Sequence, residues 1–367
     1  MSDVALSSPR RAIATEAIHL RPPVNRRGLI YLLVAAGVVA VFLLEMMIGP
    51  VQIPFADVVQ ALTGAHASRL SWERIVLFAR LPRAVNALFS GAALGTCGLL
   101  LQTLFRNPLA DPYVLGTVQG ARLGVAVLVV IVGVAGNTFS AKFGLMGDVT
   151  MAAGAAVGST LLMLVLMAAA RRVNGVTLLI LGLMLGFLCL GLVSVVLHFT
   201  DEGQANVFQY WDDGSFSGAT RNQLMVLIPV VVLGIGLASS LVKPLNALLL
   251  GESYAETMGA SVGRVRLLAF AATALLAGAV TAYSGPIAFL GLVVAHLSRG
   301  LFRTSDHRVL IPAATLMGAL VALTTDLVTH LPWAKHFLHL NAVNGLIGAP
   351  VVIWVILSRR GSRTMEF

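Results

Sequence analysis

Apolar runs about as long as a bilayer is thick recur from one end of this chain to the other, and no other feature restricts its fold as severely. A helix needs about 20 apolar residues to cross the hydrocarbon core, and such runs occupy residues 28–48, 84–104, 114–135, 149–170, 176–198, 223–241, 266–283, 285–300, 308–329 and 342–358. In lipid every backbone N–H and C=O must be satisfied within the structure, so segments of this kind become helices. Composition agrees: 57% of the 367 residues are hydrophobic and 11% are charged, against roughly 25% charged in soluble domains. The expected fold is an all-α integral membrane protein with about ten transmembrane helices. The eighth run is opened by Gly285 and Pro286 and interrupted by His296, which predicts a short or broken helix lining a cavity.

An even number of spans puts both termini on one side. With the termini in the cytoplasm, that side collects Arg10, Arg11, Arg21, Arg26, Arg27, Arg106, Arg171, Arg172, Lys243, Arg264, Arg266, Arg299, Arg303, Arg308, Arg359, Arg360 and Arg363, while the outside keeps Arg69, Arg74, Arg80, Arg83, Lys142, Arg221 and Lys335. This is the asymmetry of the positive-inside rule. It accounts for the net charge of +9 as a topology signal, and no interleaving of basic and aromatic residues points to nucleic acid. Residues 1–27 lack the apolar core of a secretory signal and read as a disordered cytoplasmic leader before a ten-helix domain at 28–360 and a cytoplasmic tail at 361–367. Cys97 and Cys189 fall inside spans, where a thiol acts as a small apolar group. The pairs Gly91/Gly95, Gly120/Gly124, Gly154/Gly158 and Gly182/Gly186 let backbones approach closely, as intramolecular helix packing requires.

Between the sixth and seventh runs lies a segment of a different kind. Leu245 to Arg266 carries Glu252, Glu256, Arg264 and Arg266 and reads as a short amphipathic stretch outside the bilayer, suited to docking a partner. Gly251 and Gly259 permit tight turns at its ends, and Glu252 near a helix start suits the dipole there.

Several blocks, in order, resemble one family. Leu81-Pro82-Arg83 is followed by GAALGTCGLLLQTLFRNPLADPYVLG (91–116), then by Gln209-Tyr210-Trp211 and Gly214-Ser215-Phe216, KPLNALLLGESYAETMG (243–259), GPIAFLGLVVAHLSRGLFRTSDHRVLIP (285–312) and LIGAPVVIWVIL (346–357). Together they resemble the permease subunits of FecCD-type ABC importers, which move iron-siderophores, heme or vitamin B12. The resemblance implies a subunit that pairs with a second permease copy, identical or related, in the bacterial inner membrane. It further implies ABC ATPase subunits on the cytoplasmic side and a periplasmic substrate-binding protein outside. The segment 245–262 would couple to the ATPase, with Leu250, Gly251, Glu252, Glu256 and Gly259 as its contact positions. Arg80, Arg83 and His330 would meet acidic residues of the binding protein; His330 stands where an arginine is usual, which makes that contact pH-sensitive. Asn174, Val176 and Thr177 fall at the inner gate, where small hydroxyl residues are usual, and Tyr210 and Trp211 fall near the pore mouth. Among the cargoes, Asn107 to Tyr113 looks most like the ferric-siderophore members, with heme and cobalamin as alternatives.

Other charged groups inside the runs are functional candidates by default. Asp326 matches a family carboxylate with a mainly structural role; Glu45 and Arg122 have no partner identifiable from the sequence. His330, His336 and His339 share one outside loop but show no fourth ligand, so neither a metal site nor any other cofactor is expected. No GxxxxGK[ST] phosphate loop is present, so the chain is read as a permease without catalytic residues. An ion-coupled secondary transporter would want paired midplane charges and an inverted repeat, and neither is visible.

Overall fold

A computed structural model of the chain describes residues 24–134 apart from 114, and 144–358 apart from 171, 174 and 332–337. Most of the expected leader and all of the expected tail, together with Asn174, Trp333, Lys335 and His336, lie outside the described residues. The apolar runs become α1 (Val24–Met47), α4 (Leu81–Leu104), α5 (Thr117–Val134), α6 (Gly144–Ala170), α7 (Gly175–His198), α9 (Arg221–Ser240), α12 (Val262–Ser284), α13 (Leu290–Phe302), α14 (His307–Thr329) and α15 (Leu340–Ser358). Seven helical stretches are long and apolar enough to cross a membrane, and the apolar parts of α5, α13 and α15 are shorter. Five short helices complete the described set: α2 (Phe55–Thr63), α3 (Leu70–Arg74), α8 (Glu202–Asp212), α10 (Val242–Leu249) and α11 (Glu252–Thr257).

The second span is longer than its apolar run. From Leu70 the chain is helical without a break to Leu104, passing through a π-helical stretch at Ile75–Arg80. Pro82 explains the irregularity: a proline inside a helix lacks its N–H and collides with the carbonyl four residues earlier, and a widened turn just before it relieves both. The eighth span is broken as expected. Residues 285–289 are not helical and α13 starts only at Leu290.

α4 is the centre of the bundle, packed against α9, α12, α13 and α14, and its residues from Ser90 to Leu104 are all buried. The glycine pairs do the work of close packing. A Cβ on Gly120 of α5 would sit 2.6 Å from the carbonyl of Gly158 on α6, and one on Gly95 of α4 would sit 2.5 Å from that of Ala314 on α14. Both are closer than any side-chain carbon tolerates, so the glycines are intramolecular contacts.

Two ends can be distinguished. At one, the C-terminus of α4 meets the N-terminus of α14 through Thr103 and His307 (2.8 Å), with Arg106, Arg303 and Arg308 nearby in the chain and Lys243 lining the same groove as His307 and Arg308; this is called the basic end. At the opposite end, Arg83 near the start of α4 meets Asp326 near the end of α14. Inside the bundle, Asn341 at the start of α15 donates to the carbonyls of Asp213 (3.0 Å) and Pro286 (2.8 Å) and accepts from the N–H of Ala288 (3.0 Å). It thereby satisfies the unwound segment that precedes α13.

Candidate functional site

The polar segment forms a knob at the basic end. Gly251 (φ 119°) and Gly259 (φ 84°) hold the two turns that bracket α11, a conformation that L side chains resist. Leu245, Leu248 and Ala255 are buried beneath it. Leu250, Tyr254 and Met258, flanking and within α11, are 66%, 48% and 66% exposed. Glu252 and Glu256 are exposed beside them. The knob thus presents exposed apolar side chains on a support held by the bundle.

Three ties hold the knob to the bundle; Glu252 and Arg266 were singled out by sequence reasoning, whereas Asn246, Asp306 and His307, and the contact that Arg106 makes, were not. Asn246 of α10 donates to Asp306 Oδ1 (2.7 Å) and accepts from the backbone N–H of His307 (2.9 Å). Its carbonyl oxygen also lies 2.7 Å from His307 Nδ1, which places that ring's proton on Nδ1. Arg266 of α12 donates to Glu252 Oε1 at 2.6 Å. Arg106, after α4, donates to the carbonyl of Leu249 (3.1 Å). Displacement of the knob is therefore transmitted to α4, α12 and α14.

At the opposite end the arginines expected to face outward are turned inward. Arg80 is buried and donates to the carbonyls of Met46 (2.6 Å) and Val51, closing the turn after α1. Arg83 Nε donates to Asp326 Oδ2 at 2.6 Å, with 15% and 2% of the two side chains exposed. His330 joins the same carboxylate at 3.6 Å and places Nε2 3.3 Å from Ser217 Oγ. Burial, aided by Arg83, holds the His330 pKa below the usual histidine value against the opposing pull of Asp326. Glu45 is buried, and neither of its carboxylate oxygens has a hydrogen-bond partner among the described residues. Among the described residues, Arg69, Arg74 and Arg221 are the exposed arginines at this end.

Between the ends, Arg122 of α5 has a partner that sequence reading missed. It grips Asp212 at the end of α8 with both Nε and Nη2, the latter at 2.7 Å. Nη1 donates to Gln119 (3.1 Å), and the guanidinium lies 5.9 Å from the Tyr113 ring centroid. A fork-to-fork arginine–carboxylate pair is geometrically specific, and this one fixes α8 against α5. Beside it Tyr210 is 85% exposed, the indole N–H of Trp211 is buried with no partner among the described residues, and Asp213 lies 3.4 Å from His339. Val176 and Thr177 are exposed on the first turn of α7, at the basic end. The structure thus separates the expected gate residues from the expected mouth residues along α7. No group of three metal-ligating side chains occurs among the described residues.

Residues 37–358 match the FecCD transport family. The chain belongs to that family. Among its curated relatives is the vitamin B12 import system permease protein BtuC of Klebsiella pneumoniae, 35% identical over 285 residues that cover 77% of this chain and 82% of the relative. The protein of the same name from Salmonella typhimurium is 34% identical over 279 residues, covering 76% and 82%. A solved structure described as a metal-chelate type ABC transporter in an inward-facing conformation shares the fold, with a TM-score of 0.77 at 23% identity over 90% of this chain and 99% of that one. As a FecCD family member the chain is an ABC importer permease subunit and a multi-pass membrane protein.

Proposed function

We propose that the chain carries a metal chelate from periplasm to cytoplasm, paired with a second permease copy and driven by separate ABC ATPase subunits. The observation that carries this reading is the knob at 242–259: exposed apolar side chains with no cover among the described residues, on a support hydrogen-bonded to the helices that would have to move. In this reading the basic end and both termini lie in the cytoplasm, and Leu250, Gly251, Glu252, Glu256 and Gly259 meet the ATPase. Conformational drive requires the two ATPase states to bind the knob with different free energies. At the periplasmic end, Arg83 and His330 present their edges to acidic side chains of a substrate-binding protein, while Arg80 supports that surface from beneath. Asn174, Val176 and Thr177 at the inner end and Tyr210 and Trp211 further out line the path, with the Arg122–Asp212 pair positioning α8.

The cargo is a ferric siderophore on the strength of the 107–113 sequence. Cobalamin is the second reading, favoured by the relatives' names, and heme the third. Uptake of labelled ferric siderophores, heme and cobalamin by a deletion strain, with and without a plasmid copy, separates them: complementable loss of one names the cargo. The coupling assignment is tested by Tyr254→Asp and Glu252→Arg. Both positions are about half exposed, and losing an exposed ion pair costs less than about 1 kcal/mol, so the variants are expected to insert normally yet lose transport and ATPase co-purification. Normal uptake by both would sink the coupling role of the knob.

A further inference from the structure

α9 and α14 both pack on α4 but scarcely touch one another, which leaves a groove of about 790 Å³ between them, open along one side of the bundle. Away from its polar mouth the walls are mostly apolar, with Ile235 on α9 and Ile311, Pro312 and Leu316 along α14, interrupted by Thr315. At its basic-end mouth stand Lys243 of α10 and Arg308 of α14, both exposed. Neither makes an ion pair among the described residues. Ser239, also exposed, borders the mouth. From Arg308 to Leu316 the groove follows α14 for eight residues, about 12 Å at a helical rise of 1.5 Å per residue. Exposed Val232 and Leu233 on α9 continue the apolar surface.

A pair of cations at the mouth of an apolar channel that runs along a transmembrane helix has the charge and the polarity gradient of a glycerophospholipid. The headgroup phosphate would lie between Lys243 and Arg308 and an acyl chain along Ile311–Leu316. We propose that this groove binds one anionic phospholipid. Because α10 is the first helix of the knob and Asn246, three residues beyond Lys243, is hydrogen-bonded to Asp306 and His307, the headgroup would bridge the two elements whose junction moves with the knob. The inference uses the membrane character of the chain and does not depend on the cargo.

The test is native mass spectrometry of the full-length protein in detergent with phosphatidylglycerol, phosphatidylcholine or glycerol 3-phosphate added in turn. Each basic residue near an anionic headgroup is worth about fivefold in binding. Phosphatidylglycerol is therefore expected to be retained over phosphatidylcholine, and Lys243→Gln/Arg308→Gln to weaken it roughly 25-fold. Arg264→Gln, at the same end but outside the groove, should change nothing. Ser239→Trp, which keeps both cations and fills the groove mouth, should also lose the lipid. Equal retention of the two lipids, or undiminished retention by the double variant, would overturn the proposal. So would glycerol 3-phosphate binding as tightly as the lipid, since the site would then recognise free phosphate.

Discussion

Replacing Asn246 by leucine tests whether the knob drives the bundle or merely adorns it. The side chain is nearly isosteric, so the change removes hydrogen bonds with little change in volume. Three are lost: one to the Asp306 carboxylate and two from His307, backbone and ring. A hydrogen bond to a charged group contributes about 1.5–3 kcal/mol and a neutral one about 1. His307 is 1% exposed, so its Nδ1–H would be left buried without an acceptor, which costs about 1–3 kcal/mol. Because these contributions overlap and Asp306 keeps access to water, a net loosening of about 3 kcal/mol is a reasonable figure, roughly a hundredfold in the population detached at this junction. Asn246 is not one of the exposed apolar residues Leu250, Tyr254 and Met258, so ATPase association should persist. In proteoliposomes containing the assembled transporter, ATP hydrolysis is expected to continue while transport per ATP falls at least tenfold. Hydrogen exchange at 242–249 should accelerate in parallel. An unchanged transport-to-ATP ratio together with faster exchange at this junction would refute the argument that force passes through it.

Three further expectations concern the charged groups inside the bundle. Glu45→Leu should raise the melting temperature, because a buried carboxylate without hydrogen-bond partners costs more than an apolar group of similar size; a drop would show that Glu45 has a partner in the assembled protein. For the Arg122–Asp212 pair, either single change, Arg122→Met or Asp212→Leu, should destabilise by about 3 kcal/mol, while the double change recovers most of that because no charge is left alone. Thermal melts of the three variants decide it, and a double variant as unstable as the sum of the singles would disprove the pairing. His330 has its pKa lowered mainly by burial, so the folded protein holds it neutral where the unfolded chain already takes up a proton. Stability should therefore fall as pH drops below the unfolded histidine value of about 6.5. Melts between pH 8 and 5 should show this loss, and His330→Gln should flatten it.

The helices that sequence reading placed well are those whose signal is local. Ten apolar runs became ten helices, the glycine pairs became helix contacts, and Gly285-Pro286 marked the broken eighth span because a lipid-facing helix does not tolerate such a pair without cause. Gly251 and Gly259 marked the turns of the knob because glycine takes up a positive φ that L side chains resist. What was missed depends on distance along the chain. Arg122 and Asp212 are 90 residues apart, and nothing in the residues around either names the other. A usable signal was present all the same: a lone cation within an apolar run and an acidic pair beside membrane-compatible aromatics each need an opposite charge. α2 and α8 were hidden because short helices of mixed polarity carry no span-length pattern. Charge counting set Arg80 and Arg83 apart from the basic end, and the structure has them at the opposite end of α4, but that rule concerns side and says nothing of whether a side chain points outward or back into the fold.

The single side chain of Asn341 has a mechanical consequence. By holding Asp213, Pro286 and Ala288 at once it removes the independent freedom of three pieces of chain: the end of α8, the unwound stretch ahead of α13, and the head of α15. They travel as one body while these bonds hold: loss of the bond to Asp213 releases the end of α8 from Asn341, and loss of the other two releases the unwound stretch. A rotation of α15 by a few degrees would then carry the tip of α8, with Tyr210 and Trp211 on it, across the space it borders. The number of moving parts in this half of the bundle is thus smaller than the number of helices.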